Sequence, residues 1–137
     1  VGILKGIGIA MWSDLFPHGK IIGLDIDLDH IINNLSNLKK RGAFTHKNVE
    51  LYEFDQFVDN HEMLKGILKG DKISIFIDDG VQADEAIIKT MLSVKPHLAD
   101  NFLYIIEDNK HVHKLIRKIF PEFNVKDYGA LTVVLPL

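Results

Sequence analysis

Apolar and polar positions fall into alternating blocks along this chain. Short apolar runs of strand length lie at Val1–Leu4, Lys20–Asp25, Val49–Phe54, Lys72–Ile77 and Phe102–Ile106. Between them come stretches with helical spacing, near Ala10–Phe16, Leu28–Arg41, Asn60–Lys69, Asp84–Leu98 and Lys110–Ile119. The fourth is the clearest, because Ile87, Met91, Val94 and Leu98 recur on one helical face. Strands alternating with helices predict βαβ units and a mostly parallel sheet covered on both sides.

The last two apolar runs break the alternation. Phe123–Asp127 and Leu131–Leu135 are separated only by Tyr128-Gly129-Ala130. A parallel crossover needs a dozen or more residues, so these two strands must form an antiparallel hairpin. The expected architecture is therefore α/β: a Rossmann-like, doubly wound, mostly parallel sheet of about seven strands ending in a C-terminal antiparallel hairpin.

Composition narrows the class without changing this picture. The 137 residues are read as a single domain, 1–137, with 47% hydrophobic and 26% charged residues, as in soluble globular proteins. Net charge is −3, from 16 basic and 19 acidic residues, with no long basic run, so no nucleic-acid partner is expected. No apolar run reaches membrane-spanning length and no signal peptide is visible, so no membrane partner is expected either. Without cysteine there can be neither disulfides nor thiolate metal sites. This leaves the compartment open, and a cytoplasmic protein is the expectation.

Candidate chemistry begins in the opening stretch. Gly2, Gly6 and Gly8 follow or interrupt the first apolar run, and Asp25 and Asp27 end the second. Closely spaced glycines let backbone approach a ligand, and a carboxylate about 20 residues later is placed to accept bonds from ribose hydroxyls. A dinucleotide fingerprint starting at Gly6 would have Met11 where its third small residue belongs, which opposes a nicotinamide dehydrogenase. The spacing Gly2-x-x-x-Gly6-x-Gly8 instead resembles motif I of the class I S-adenosylmethionine (SAM) methyltransferases. In that family an acidic residue precedes the first glycine by two positions, which here falls before Val1. The chain is therefore read as beginning inside its first strand, and the final hairpin is similar to that family's sheet. The resemblance makes SAM the cofactor and Gly2, Gly6, Gly8, Asp25, Asp27, Asp55 and Asp78 its binding residues. Asp25 would hold the ribose hydroxyls and Asp55 would lie near the adenine amino group. Asp27 is either the ribose partner or the N-cap of the following helix.

Ligands of such sheets sit beyond the carboxyl ends of the strands, so every strand end matters. Carboxylates recur at four in series: Asp25 and Asp27, Glu53 and Asp55, Asp78-Asp79-Gly80, and Glu107-Asp108-Asn109. One such residue alone would be an ordinary turn or helix cap. Carboxylates that converge repel one another unless a cation compensates, and hard oxygen donors suit Mg²⁺, Mn²⁺ or Ca²⁺.

These two later clusters, with Trp12-Ser13-Asp14-Leu15-Phe16-Pro17, resemble the metal-dependent sugar O-methyltransferase branch that includes macrocin O-methyltransferase and cephalosporin-hydroxylase-like proteins. That resemblance makes Asp79, Glu107 and Asp108 the metal ligands, with Asp78 beside them, and a sugar-like small molecule the methyl acceptor. The branch usually continues Asp-Asp-Gly with Ser-His, whose histidine is the proposed base. Here Val81 and Gln82 follow, and glutamine cannot take a proton near neutral pH. His111 or His113 is the replacement candidate, and His111 is the catalytic assignment. Both also fit a solvated helix start.

His18 and His97 read as surface residues, and Trp12 as a helix residue packed on the sheet. Lys39-Lys40-Arg41 reads as a helix C-terminus, where positive charge is favourable. The rival functions are a hydroxylase-like relative and a domain that binds SAM or a nucleotide without turnover. A homo-oligomer is compatible with the sequence.

Overall fold

A computed structural model describes all residues from Val1 to Leu137. The chain divides into two compact units, Val1–Phe54 and Asp55–Leu137.

The first unit contains α1 (Ile7–Leu15), β1 (Ile21–Asp25), α2 (Asp29–Lys40) and β2 (Val49–Glu53). The two strands pair in parallel, from Ile21 opposite Val49 to Asp25 opposite Glu53. Helix α2 buries Ile31 and Leu38, seven residues apart on one face, and carries Asp29 in its first turn and Lys39 and Lys40 in its last. Those charges oppose the helix dipole at each end. Gly23 of β1 is demanded by packing, since a Cβ there would stand 2.4 Å from Ile9 Cδ1 and 2.8 Å from Leu51 Cδ2.

Val1–Leu4 is not a strand, and the structure has six strands rather than about seven. The backbone explains the difference. Gly2 and Leu4 have φ of 80° and 44°, so the segment winds through left-handed conformations that no ladder can use. A ladder-like bond runs from the Gly2 N–H to the Leu24 carbonyl, 2.9 Å. The next two N–H groups, of Ile3 and Leu4, donate to the Asp25 carboxylate instead.

The second unit contains α3 (His61–Leu68), β3 (Ile73–Asp78), α4 (Asp84–Val94), a 3-10 turn at Lys95–His97, β4 (Leu98–Glu107), α5 (Val112–Ile119), β5 (Phe123–Asp127) and β6 (Leu131–Pro136). Its sheet has the order β3-β4-β6-β5. β3 and β4 are parallel, whereas β6 runs antiparallel to both neighbours. The expected hairpin is present. Gly129 turns it with φ 81°, and the Tyr128 N–H closes it on the Leu131 carbonyl at 2.8 Å. Phe76, Tyr104, Ile106 and Val134 from the strands are buried, as are Ile87, Met91 and Val94 of α4 and Val112 and Ile116 of α5. Full burial of one such aliphatic side chain is worth about 1.5–3 kcal/mol.

His97 is buried rather than a surface residue. Its ring stacks on His61 at a centroid distance of 4.8 Å, with Nε2 3.1 Å from His61 Nδ1. Trp12 is half-buried and stacks on Phe16 one helical turn away. No helix is long and apolar enough to cross a membrane.

Candidate functional site

In the first unit, the candidate residues gather where the glycine segment meets the end of β1. Gly6 is the N-cap of α1 with φ 81°, and no side chain caps the helix. A Cβ at Gly6 would lie 2.5 Å from Ile31 Cδ1, so packing and backbone both require glycine there. Gly8 differs. It lies inside the first turn of α1, is exposed, and a Cβ on it would meet nothing within 4 Å. Neither the fold nor its neighbours need a glycine at this position.

The Asp25 carboxylate is committed to this segment on one side only. Oδ2 accepts the N–H groups of Ile3 (2.9 Å) and Leu4 (3.0 Å), while Oδ1 accepts only a long bond from the Asp27 N–H at 3.3 Å. A carboxylate has about four acceptor positions, so Oδ1 retains capacity for hydroxyl donors. Asp27 is not the N-cap of α2, which is Leu28, but it supports the start of that helix. Its Oδ1 accepts the N–H of Asp29, the first residue of α2, at 2.8 Å, and Oδ2 lies 3.7 Å from His30 Nε2.

In the second unit, Asp55 Oδ1 accepts the Phe57 N–H at 2.8 Å, a local turn. The end of β3 is more elaborate. Asp78 is buried, with Oδ1 bonded to Gln56 Nε2 (2.9 Å) and to the Gly80 N–H (3.4 Å), while Oδ2 has no partner. Burial pushes the Asp78 carboxyl above its usual range, and the bonds from Gln56 and Gly80 oppose that rise.

Asp79 is exposed, Glu107 is half-buried, and Asp108 is exposed with φ 58°. Burial raises the Asp79 carboxyl above its ordinary value, and the charge on Asp108 raises it further. Burial likewise raises Glu107, followed by the charges on Asp79 and Asp108. The structure thus brings the three predicted metal ligands within electrostatic reach of one another. It does not close them into a cage, since no three His, Asp or Glu side chains are arranged to hold an ion. By chemistry alone the three are hard oxygen donors of the kind that suits a divalent cation, and each carboxylate makes its neighbour's charge costlier.

Gln82, in the place of the branch's histidine, is exposed and donates through Nε2 to the Gly80 carbonyl at 2.9 Å. His111 is exposed at the start of α5, and no hydrogen bond or ion pair joins its ring to the acidic side chains. His113 is buried with Nε2 3.5 Å from Asp127 Oδ2 and Nδ1 unpartnered.

Two site residues were given no role by the sequence. Gln56 is a buried amide bonded to Asp78, to Thr90 Oγ1 at 3.1 Å and to the Val81 N–H at 2.7 Å. The hint was Thr90, one of two polar residues, with Ser93, on the buried face of α4. Asn109 is the second: its Oδ1 accepts the N–H groups of His111 and Val112, both at 2.8 Å, and its Nδ2 donates to the Gln82 carbonyl and to Asp84 Oδ1.

No family model matches the chain. No curated protein matches it either. Solved structures do. MycE methyltransferase from the mycinamycin biosynthetic pathway, in complex with Mg, SAH and mycinamycin VI, aligns with a TM-score of 0.66 at 21% identity. The alignment covers 94% of this chain and 39% of MycE, so the chain spans about two fifths of that protein's length. A Staphylococcus aureus protein assigned as a caffeoyl-CoA O-methyltransferase aligns with a TM-score of 0.67 at 16% identity, covering 99% of this chain and 73% of its own. A methyltransferase from Geobacter sulfurreducens aligns over 86% of this chain and 58% of its own, with a TM-score of 0.50 and 20% identity. Parallel βαβ pairing, the reversed strand β6 and these likenesses together give this chain the α/β methyltransferase fold.

Proposed function

We propose that this chain is a SAM-dependent O-methyltransferase, or the core of one, acting with a divalent cation on a hydroxyl of a sugar-like small molecule. The observation that carries the reading is the Asp79, Glu107 and Asp108 cluster at the ends of β3 and β4, on a fold shared with methyltransferases. MycE, crystallised with Mg and SAH, is a precedent for that pairing.

Each unit has its own task in this reading. In the first, the open side of Gly8 admits the cofactor to backbone contact, and Asp25 Oδ1 accepts the ribose hydroxyls. A carboxylate suits two hydroxyl donors and would repel a phosphate. Asp27, engaged with α2, is the lesser candidate. In the second, Asp55 and Asp78 are that unit's candidates for the cofactor, and Asp79, Glu107 and Asp108 hold the cation. When bound, SAM supplies an electrophilic methyl group, and the cation supplies a positive charge that lowers the acceptor's pKa. The acceptor hydroxyl would give up its proton to a residue of the chain, and its oxygen would take the methyl group from the sulfur of SAM. His111 is the candidate proton acceptor, being the exposed imidazole nearest in sequence to Glu107 and Asp108. Most of the rate would come from orientation and charge stabilisation.

Gln82 favours a second reading, in which the domain binds SAM without turnover, because the side chain is spent on the Gly80 carbonyl and has no basic atom. Calorimetric titration with SAM, with and without Mg²⁺ and with NAD as control, tests the first reading. Binding that tightens with Mg²⁺ supports it, and preference for NAD overturns it. Methyl transfer gained in Gln82→His would favour the second.

A further inference from the structure

The amide of Gln56 makes three contacts, two of them to one turn and the third to α4. Nε2 donates to Asp78 Oδ1 at 2.9 Å and to Thr90 Oγ1 at 3.1 Å, and Oε1 accepts the Val81 N–H at 2.7 Å. The Val81 N–H can only donate, so the oxygen must face it and the NH₂ group must face Asp78; the amide orientation is fixed by chemistry. Asp78 and Val81 bracket Asp79 and Gly80, so one side chain holds both ends of the turn that carries Asp79. The approach is close. A Cβ at Gly80 would stand 2.0 Å from Gln56 Oε1 and 2.9 Å from its Cδ, so the turn passes over the amide only because residue 80 is glycine. Thr90 in turn ties the amide to α4, which fixes the group from behind.

We infer that Gln56 is a positioning residue: through Asp78 and Val81 it sets the turn from which Asp79 is presented, and Gly80 is the clearance this requires. This rests on the reading of Asp79 as a cation ligand. No other side chain of similar size can substitute. Glutamate lacks the donor and would bring a second negative charge against Asp78, and leucine lacks both donor and acceptor. Gln56 acts on Asp79 through the turn rather than by bonding to it; loss of a ligand's direct partner typically changes metal affinity about 10–100-fold, which sets the scale.

The test uses the chain with Gln56→Leu, Gly80→Ala and Thr90→Val, and two readouts. One is hydrogen exchange at the Val81 amide, which needs no metal. The other is Mn²⁺ binding followed by electron paramagnetic resonance. Gln56→Leu should speed Val81 exchange at least about 10-fold and weaken Mn²⁺ about 10-fold or more. Gly80→Ala, whose methyl group displaces the amide, should reproduce both effects, and Thr90→Val should give a smaller version of each. If Gln56→Leu does not fold, Gly80→Ala decides by the same readouts. Val81 exchange unchanged in the folded variants overturns the inference. So does Mn²⁺ affinity unchanged in Gln56→Leu when the parent chain binds Mn²⁺. If the parent chain binds no Mn²⁺, the cation reading fails by itself, and Val81 exchange still reports whether Gln56 sets the turn.

Discussion

The Asp25 carboxylate accepts the backbone N–H of Leu4 at 3.0 Å, and that of Ile3 beside it at 2.9 Å. A residue expected to serve the cofactor therefore also folds the glycine segment onto the end of β1. The two duties separate by substitution. Asp25→Asn keeps an oxygen for the backbone but loses the charge and acceptors, so SAM affinity should fall about tenfold with little change in stability. Asp25→Ala strands both N–H groups and should also cost about 1–3 kcal/mol in urea unfolding. Undiminished SAM affinity in Asp25→Asn would move the ribose role to Asp27.

Gly8 offers the converse case. Nothing in the fold occupies the space its side chain would take, and glycine inside a helix is unfavourable relative to alanine by about 0.5–1 kcal/mol. Gly8→Ala should therefore raise stability by that order. If the open side of Gly8 admits cofactor, the same variant should bind SAM more weakly. A variant that is more stable and binds as before would assign Gly8 no role in the site.

The raised carboxyls of Asp79 and Glu107 predict a pH dependence with a definite sign. A carboxyl held above its ordinary pKa in the folded state favours folding while protonated, and that contribution is lost as pH rises through the folded value. In the absence of metal, these groups should make the melting temperature fall between the ordinary carboxylate range and pH 7. Mg²⁺ should restore it at pH 7 and have little effect near pH 4. Asp79→Asn should raise the metal-free melting temperature at pH 7 and remove the response to Mg²⁺. A Mg²⁺ response that survives in Asp79→Asn would place the cation elsewhere.

His97 titrates in the opposite sense. Burial lowers its pKa below the ordinary 6.5, and the nearby His61 imidazole and Lys72 push the same way, against the bond to the His61 carbonyl. Neutral His97 contributes stability above the ordinary histidine range, and that contribution is lost as pH falls through the lowered value. Thermal unfolding followed downward from pH 8 should show this loss, and His97→Gln should flatten the curve. An unchanged profile in His97→Gln would mean that the pair does not set the acid limb.

Much of the fold was legible because blocks of apolar periodicity override local detail. The βαβ order and the terminal hairpin could be read from Ile87, Met91 and Val94 and from the three residues between β5 and β6. Val1–Leu4 misled because apolar content says nothing of φ, and the left-handed turns at Gly2 and Leu4 are held by a carboxylate more than twenty positions away. His97 misled for a related reason: proximity to Pro96 suggested a loop, whereas its burial comes from the pairing with His61. The acidic strand ends were visible as chemistry. Gln56 was not, because its importance lies in three partners far along the chain, none of which leaves a local pattern.

The order β3-β4-β6-β5 has a consequence for how the second unit comes into being. β5 touches the sheet only through β6, which is made after it. A chain emerging from the ribosome can pair β3 with β4 before β6 exists, and β5 can join the sheet only together with β6, its hairpin partner. During that interval β4 presents an open edge of the kind that invites pairing with other chains. The reversed strand that marks the fold is thus also the one that closes the open edge of β4.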